Sequence, residues 1–484
     1  MAANLHSLKR YLSMVYCDTR QISLGWSNLK WLMVLIVFFI ACTKIKPVER
    51  SKSRANGNTA NSSTIDDPDM KSDSEPAENP HPAENPEPET KPQSQAEIPE
   101  PTPNPSSKDP KKKKKWVYVS HDDGSLQSFQ VGADNRSLRV ETKKENVIEG
   151  ELGPIAIHKK SKVIFVGVRD KDVVANNKIY MADLDANDGR LLNGLAIKIG
   201  FNPVYLALNE DENILLASSY HQHNVTIFRL SADSKIQVTE GNEPDPRHFK
   251  TVASSEQAHS VVEGPNREYV IAPSTALSIL QVFPYSPAKF ELGKTPMTVD
   301  AREGFEPRHL AFHPENRILY VVNQRGVSVS SYHFESGKLE NEQCYPLVVG
   351  FGNDKAKCFS GVPDKNDEDS PLYKLTGADV HLTPDGGFLY ASTRDHFKNV
   401  SKKRDAISVF KIDDEGSLTL VEHKPTASFP RDFGMDPGGD FIIVAAQRAD
   451  KLQFFSINKT TGALNLENSY GSKEGPAWVE ITQF

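Results

Sequence analysis

"GFEPRHLAFHPENRILYVVNQ", residues 304–324, decides the fold. A Pro-Arg-His start leads into a short apolar run, a turn built from His, Pro, Glu and Asn, and a second apolar run, "ILYVV", that closes on Asn323 and Gln324. Turn-forming residues between two β-branched and aromatic runs are the marks of a β-hairpin. The pattern recurs: "PIAIHKKSKVIFVGV" at 154, "PVYLALNEDENILLASSY" at 203, "AHSVVEGPNREYVIAPST" at 258, "GADVHLTPDGGFLYASTR" at 377, "PRDFGMDPGGDFIIVAAQ" at 430 and "PAWVEITQF" at 476. Its period of roughly fifty residues is that of propeller blades. Four units continue at once into a third strand ("NVTIFRL", "LSILQVFPY", "SVSSYHF", "KLQFFSIN"), and in the first unit "KIYMADLD" follows after a gap.

The unit at 476 stops after one strand, while "WVYVSHDDGSLQSFQV" near 116 supplies strands with no first strand of its own. Pairing the two ends completes a seventh blade and leaves no sheet edge bare. The expectation is an all-β, seven-bladed propeller over 116–484. Two separate sandwiches would not explain a copy divided between the ends, and no helical apolar period runs through the region.

Outward from the repeat, composition changes sharply. Residues 43–115 are rich in Pro, Glu, Asn and Ser, with "PAENP" at 76–80 and again at 82–86, and end on Lys111–Lys115. Such a chain cannot bury enough apolar surface to fold, so a disordered linker is expected. Before it, basic residues precede "WLMVLIVFFIAC", a run too short to span a bilayer but suited to a signal-peptide core. Residues 1–42 therefore read as a signal peptide whose end, Phe39-Ile40-Ala41-Cys42, resembles a bacterial lipobox, with Cys42 the lipidated residue. The chain is expected to be exported and tethered through that lipid as a periplasmic or cell-surface lipoprotein, most simply of the outer membrane. The net charge of −7 argues against a nucleic-acid partner. Four cysteines, scattered at 17, 42, 344 and 358, form no metal knuckle. In an oxidising compartment Cys344 and Cys358 would close the long insertion between the fourth and fifth full units.

The units align into columns. The fourth position of the first strand is apolar in all seven: Ile157, Leu206, Val261, Leu310, Val380, Phe433 and Val479. It is expected to pack between blades. The second position carries His259, Arg308 and Arg431, the third Ser260, His309, Asp379 and Asp432, and the end of the second strand Tyr220, Thr275, Gln324, Arg394 and Gln447. The start of one strand and the end of its antiparallel partner lie together, so these groups gather at one mouth of the central channel. Such a rim suits an anion-binding or acid/base site; equally, it suits a wet polar mouth in which Asp432 neutralises Arg431.

"GADVHLTPDGGFLYASTRDHF", "FEPRHLAFHPENRILYVVNQ" and "FPRDFGMDPGGDFIIVAAQ" resemble the lactonase family of seven-bladed propellers, which includes 6-phosphogluconolactonases and carboxymuconate lactonising enzymes. The resemblance covers roughly 150–484 and implies a lactone hydrolase without a cofactor. It implies catalytic roles for His259, Arg308, Gln324 and Arg394, with Gln324 standing where the family carries Glu. Other departures are "STA" at 274–276, Thr393, the added "FKNVSKKR" after His396, and "SYHQH", which leaves His221 and His223 near the mouth. No metal is expected there. On this reading His259 takes the proton, with Asp379 a second possibility. Arg308 and Arg394 hold the substrate's anionic group, and Arg431, His309, Asp379 and Tyr220 complete the binding surface. The ligand would be a small lactone or sugar acid. The alternative is a non-catalytic surface propeller that binds a sugar, an anionic ligand or an envelope protein at the same mouth.

Overall fold

The computed structural model describes residues 113–170, 172–348, 358, 374–396 and 404–484. The expected signal segment, Cys42, nearly all of the linker and most of the insertion before the fifth unit lie outside the described residues. So does the added stretch 397–403.

Seven antiparallel sheets follow one another around a ring. Their innermost strands are Glu151–His158, Pro203–Leu208, Val262–Glu263, Pro307–Phe312, Leu375–Leu382, Pro430–Met435 and Pro476–Gln483. We number the blades one to seven in that order. The repeat at 304–324 is the inner pair of blade four, Pro307–Phe312 against Ile318–Asn323. Blade seven closes as expected: Pro476–Gln483 pairs with Lys115–His121, bringing Val479 opposite Val119 and Thr482 opposite Trp116. Strands Ser125–Val131 and Leu138–Val147 complete it. Lys115, assigned to the linker from composition, is therefore already in a strand. Its ammonium lies 2.8 Å from the buried carboxylate of Asp436 in blade six, so the last lysine of the run fastens the closing blade to its neighbour.

Blade three departs from the pattern. Its inner strand is reduced to Val262–Glu263 and an isolated bridge from Ala258 to Ser274, and its outer edge is split into Glu291–Leu292 and Met297–Asp300. Pro296, between those two pieces, has no N–H to give to a ladder.

The fourth-position column does what its apolar character demands. The buried side chains form seven clusters, each drawn from two adjacent blades, and each contains one member of the column. Leu310, for example, packs with Ile271, Leu280 and Val282 of blade three and with Leu319 and Val321 of its own blade. Burying one such aliphatic side chain contributes roughly 1.5–3 kcal/mol. The column thus binds each blade to the one before it and fixes where the neighbouring second and third positions stand.

Candidate active site at the channel mouth

A β-bulge recurs at the start of the inner strands. The pairing slips between Leu152 and Ile155, Pro203 and Tyr205, Pro307 and His309, Gly377 and Val380, and Pro430 and Asp432. In blade seven the slip falls opposite Ala477. Prolines without an N–H favour it, and a bulge re-aims the unpaired side chain. Arg308 and Arg431 are such unpaired residues. At Gly377 there is no room for proline or any Cβ, because an added Cβ would lie 2.6 Å from the Asn323 carbonyl. The close approach lets the Gly377 amide donate to the Gln324 carbonyl at 2.9 Å, tying blade five to blade four at the mouth.

Below this rim the third-position residues meet across the channel. Tyr205 of blade two, His309 of blade four and Trp478 of blade seven form a triangle of rings with centroids 5.2, 5.5 and 5.7 Å apart. They make an aromatic floor. On its mouth side the His259 ring stands 5.3 Å from His309 and 5.5 Å from Tyr220, so residues of blades two, three and four converge.

A chain of hydrogen bonds fixes the Arg308 guanidinium. Its Nη1 donates to the Ala378 carbonyl at 2.5 Å and lies 3.2 Å from His309 Nε2. Since Nε2 must accept from a guanidinium, the imidazole proton sits on Nδ1, which is 2.7 Å from Asp379 Oδ1. The other Asp379 oxygen accepts from His381 Nε2 at 3.0 Å and from the Phe433 amide of blade six at 3.3 Å. Burial alone would raise the Asp379 carboxyl, but the His381 charge and the two imidazole hydrogen bonds outweigh it and hold it well below the usual carboxylate range. Burial and the adjacent Arg308 push His309 down to about 3, so it is neutral at any working pH.

These surroundings bear on the two groups expected to take the proton. His259 was expected to take a proton. Burial, then the charges of Arg308 and Arg431, hold its pKa well below the ordinary value, because an imidazolium there would sit among cations. It is a neutral hydrogen-bonding group. Asp379 was the second candidate, and its two oxygens are already engaged on His309, His381 and the Phe433 amide. It orients His309. Asp432 accepts the Val479 amide at 2.7 Å, and burial together with the Asp379 charge pushes it well above the usual carboxylate range.

Arg394 and Gln324 take other positions. Arg394 is fully buried, donates Nη2 to the Gly377 carbonyl at 3.3 Å and lies 5.1 Å from the Phe429 ring. The Gln324 amide reaches Glu306 Oε2 at 3.4 Å, and that carboxylate also pairs with Arg325 at 3.6 Å. His221 and His223 diverge: the first packs on Tyr220 and the second accepts the Gln257 amide. Among the described residues no three His, Cys, Asp or Glu side chains are grouped to hold a metal.

Over residues 117–481 the chain matches the family described as "Lactonase, 7-bladed beta-propeller". The chain belongs to that family. It is 28% identical over 372 residues to the 6-phosphogluconolactonase of Pectobacterium carotovorum, covering 75% of this chain and 98% of that one. It is 26% identical over 373 residues to the 6-phosphogluconolactonase of Yersinia pestis, covering 76% and 98%. Among solved structures, the periplasmic gluconolactonase of Pseudomonas aeruginosa superposes with a TM-score of 0.60 at 20% identity over 76% of this chain and 99% of its own. A protein of Bacteroides fragilis gives 0.60 at 18% identity over 78% and 99%.

On this lactonase propeller one side of the mouth went unread in the sequence. Arg169 ends the second strand of blade one, is almost fully buried, and pairs with Glu151 at 2.9 Å and Asp122 at 3.7 Å. Counting ten residues from Lys159, as from Pro314 to Gln324, lands on Arg169. Tyr205 and Trp478 also stood in the third-position column, where attention to polar residues passed over them.

Proposed function

We propose that this propeller hydrolyses the ring ester of a sugar lactone at the channel mouth. The observation that carries the reading is the fixed Arg308 guanidinium, locked by the Ala378 carbonyl and His309 beside the neutral His259 imidazole. Preorganised cationic and N–H groups stabilise the oxyanion that forms when water adds to an ester carbonyl, and they need not reorganise during the reaction. Arg431, whose charge also bears on His259, widens the cationic surface for a carboxylate or phosphate on the sugar. Membership of the lactonase family, and relatives named 6-phosphogluconolactonase, support a sugar-acid lactone as the substrate class.

The N-terminal sequence supports an exported enzyme, lipidated at Cys42 and held from the membrane by the linker. Such an enzyme would meet unphosphorylated lactones. Acid release by the full chain, measured with gluconolactone and with its 6-phosphate against the spontaneous rate, tests the activity. Rates equal to the spontaneous rate on both would refute it. Loss of membrane association in Cys42→Ser on cell fractionation tests the tether, and unchanged association would refute it.

A non-catalytic binder of anionic ligands is favoured by the amide of Gln324, which stands where the family resemblance implies a Glu. Its signature is hydrolysis absent from the native chain and present in Gln324→Glu.

A further inference from the structure

Hydrolysis requires a group to take the proton of the attacking water, and burial and the neighbouring cations make the expected histidine a weak proton acceptor. The carboxylates around the mouth can be sorted by what holds them. Asp379 is held by His309, Asp432 accepts the Val479 amide, and Glu306 lies against Gln324 and Arg325. Asp122 differs from all three. It follows directly on strand Lys115–His121 of blade seven, at the same mouth as Gln447 and Arg169.

Its position is tightly specified. The Asp122 amide donates to the Gly475 carbonyl at 3.0 Å, and Gln447 Nε2 donates to Oδ2 at 2.8 Å. Oδ1 is buried and has no hydrogen-bond donor among the described residues, with Arg169 Nη2 at 3.7 Å. The side chain as a whole is 33% exposed, whereas Arg308, His259 and Arg394 are almost completely covered. The Gln447 amide orients the carboxylate, and the exposed third of the side chain leaves it within reach of a water. Asp122 stands at the end of the second strand of blade seven, the position that Gln447 and Arg169 hold in the neighbouring blades, and it touches both.

We propose that Asp122 is the general base of the lactone hydrolysis. The inference rests on the functional reading above and names the residue that reading lacked. The Asp122 carboxylate takes a proton from water as the water oxygen bonds to the lactone carbonyl carbon and the carbonyl π pair moves onto oxygen. When the tetrahedral adduct collapses, the ring C–O bond breaks and its electron pair leaves with the ring oxygen. That oxygen recovers the proton from Asp122, giving the hydroxy acid and the starting carboxylate. The groups facing Asp122 agree with the role. Burial above all, and the Glu151 charge, raise its pKa, while Arg169, Arg431 and the Gln447 hydrogen bond lower it, and the balance lies at about 6. A carboxylate in that range accepts protons better than an ordinary one and is still ionised at neutral pH.

The test uses the full chain with gluconolactone, following kcat, KM and their pH dependence in native protein, Asp122→Asn and Asp122→Glu, with urea unfolding to verify that each variant folds. Asp122→Asn is expected to lose about a hundred-fold or more in kcat with KM within about three-fold, and to lose the acidic limb of the kcat profile. Asp122→Glu is expected to recover part of the rate. A folded Asp122→Asn that keeps native kcat and the same acidic limb overturns the assignment and leaves the functional reading intact. A native chain with no activity on either lactone overturns both.

Discussion

Replacing Asp379 by Asn tests the hydrogen-bond chain that fixes Arg308. The carboxylate accepts from His309 Nδ1, His381 Nε2 and the Phe433 amide, and it is 3% exposed. An amide oxygen can replace only part of this, and its NH₂ group meets a ring nitrogen that already carries a proton. Hydrogen bonds to a charged group are each worth about 1.5–3 kcal/mol. Removing one partner of a buried ionic pair costs roughly 3–5 kcal/mol, and that loss is expected for Asp379→Asn. The pH dependence has a definite sign. The depressed Asp379 pKa contributes stability above about pH 4 that is lost in acid; the raised His381 pKa contributes stability below about pH 6.5 that is lost as pH rises through its folded value. The gap between native chain and variant, measured by urea unfolding, is therefore expected to be larger at pH 5.5 than at pH 8.5. Activity should fall as well, since without Asp379 the His309 proton can move to Nε2 and confront Arg308 Nη1. A gap below about 1 kcal/mol at pH 5.5, or one that widens toward alkaline pH, refutes the reasoning.

Leu310→Ala, which removes one blade-to-blade anchor, should cost roughly 3–5 kcal/mol in urea unfolding, whereas the exposed Leu466→Ala should change stability by less than about 0.5 kcal/mol. Arg308→Lys cannot reach the Ala378 carbonyl and His309 while presenting a planar face to an anion, so kcat/KM should fall about ten-fold or more with the fold retained. Cys344 and Cys358 are disulfide-bonded across a sequence separation of 14, and Cys344→Ser should lower stability by about 3 kcal/mol under oxidising conditions and by nothing in excess dithiothreitol.

The propeller was legible because its two constraints are local and periodic. A hairpin turn every blade marks the strand pairs, and one apolar position per blade marks the packing between them. The bulge at the first position was not legible, although prolines at 203, 307 and 430 stand beside it. Nothing in a two-residue period says that one residue has slipped out of register. It is this slip that turns Arg308 and Arg431 aside from simple alternation.

The site was legible as a list of columns, and its protonation was not. Position in the repeat brought Tyr220, His259, Arg308 and His309 to one end of the channel, and the structure groups them there. Their protonation depends on burial and on charges from other blades, which no single unit contains. His259 looks like a base in "AHSVV", yet burial first, and then the charges of Arg308 and Arg431, hold its pKa well below the ordinary value. Asp122 shows the reverse. In "SHDDGS" it reads as a turn residue before a glycine, and only its contacts with Gln447 of blade six and Arg169 of blade one, far away in sequence, give it an orientation and a raised pKa. A propeller closed by both its ends assembles its mouth from residues that no local stretch connects. Blade seven, the one divided between the termini, is where reading the repeats in order was least able to find a functional side chain.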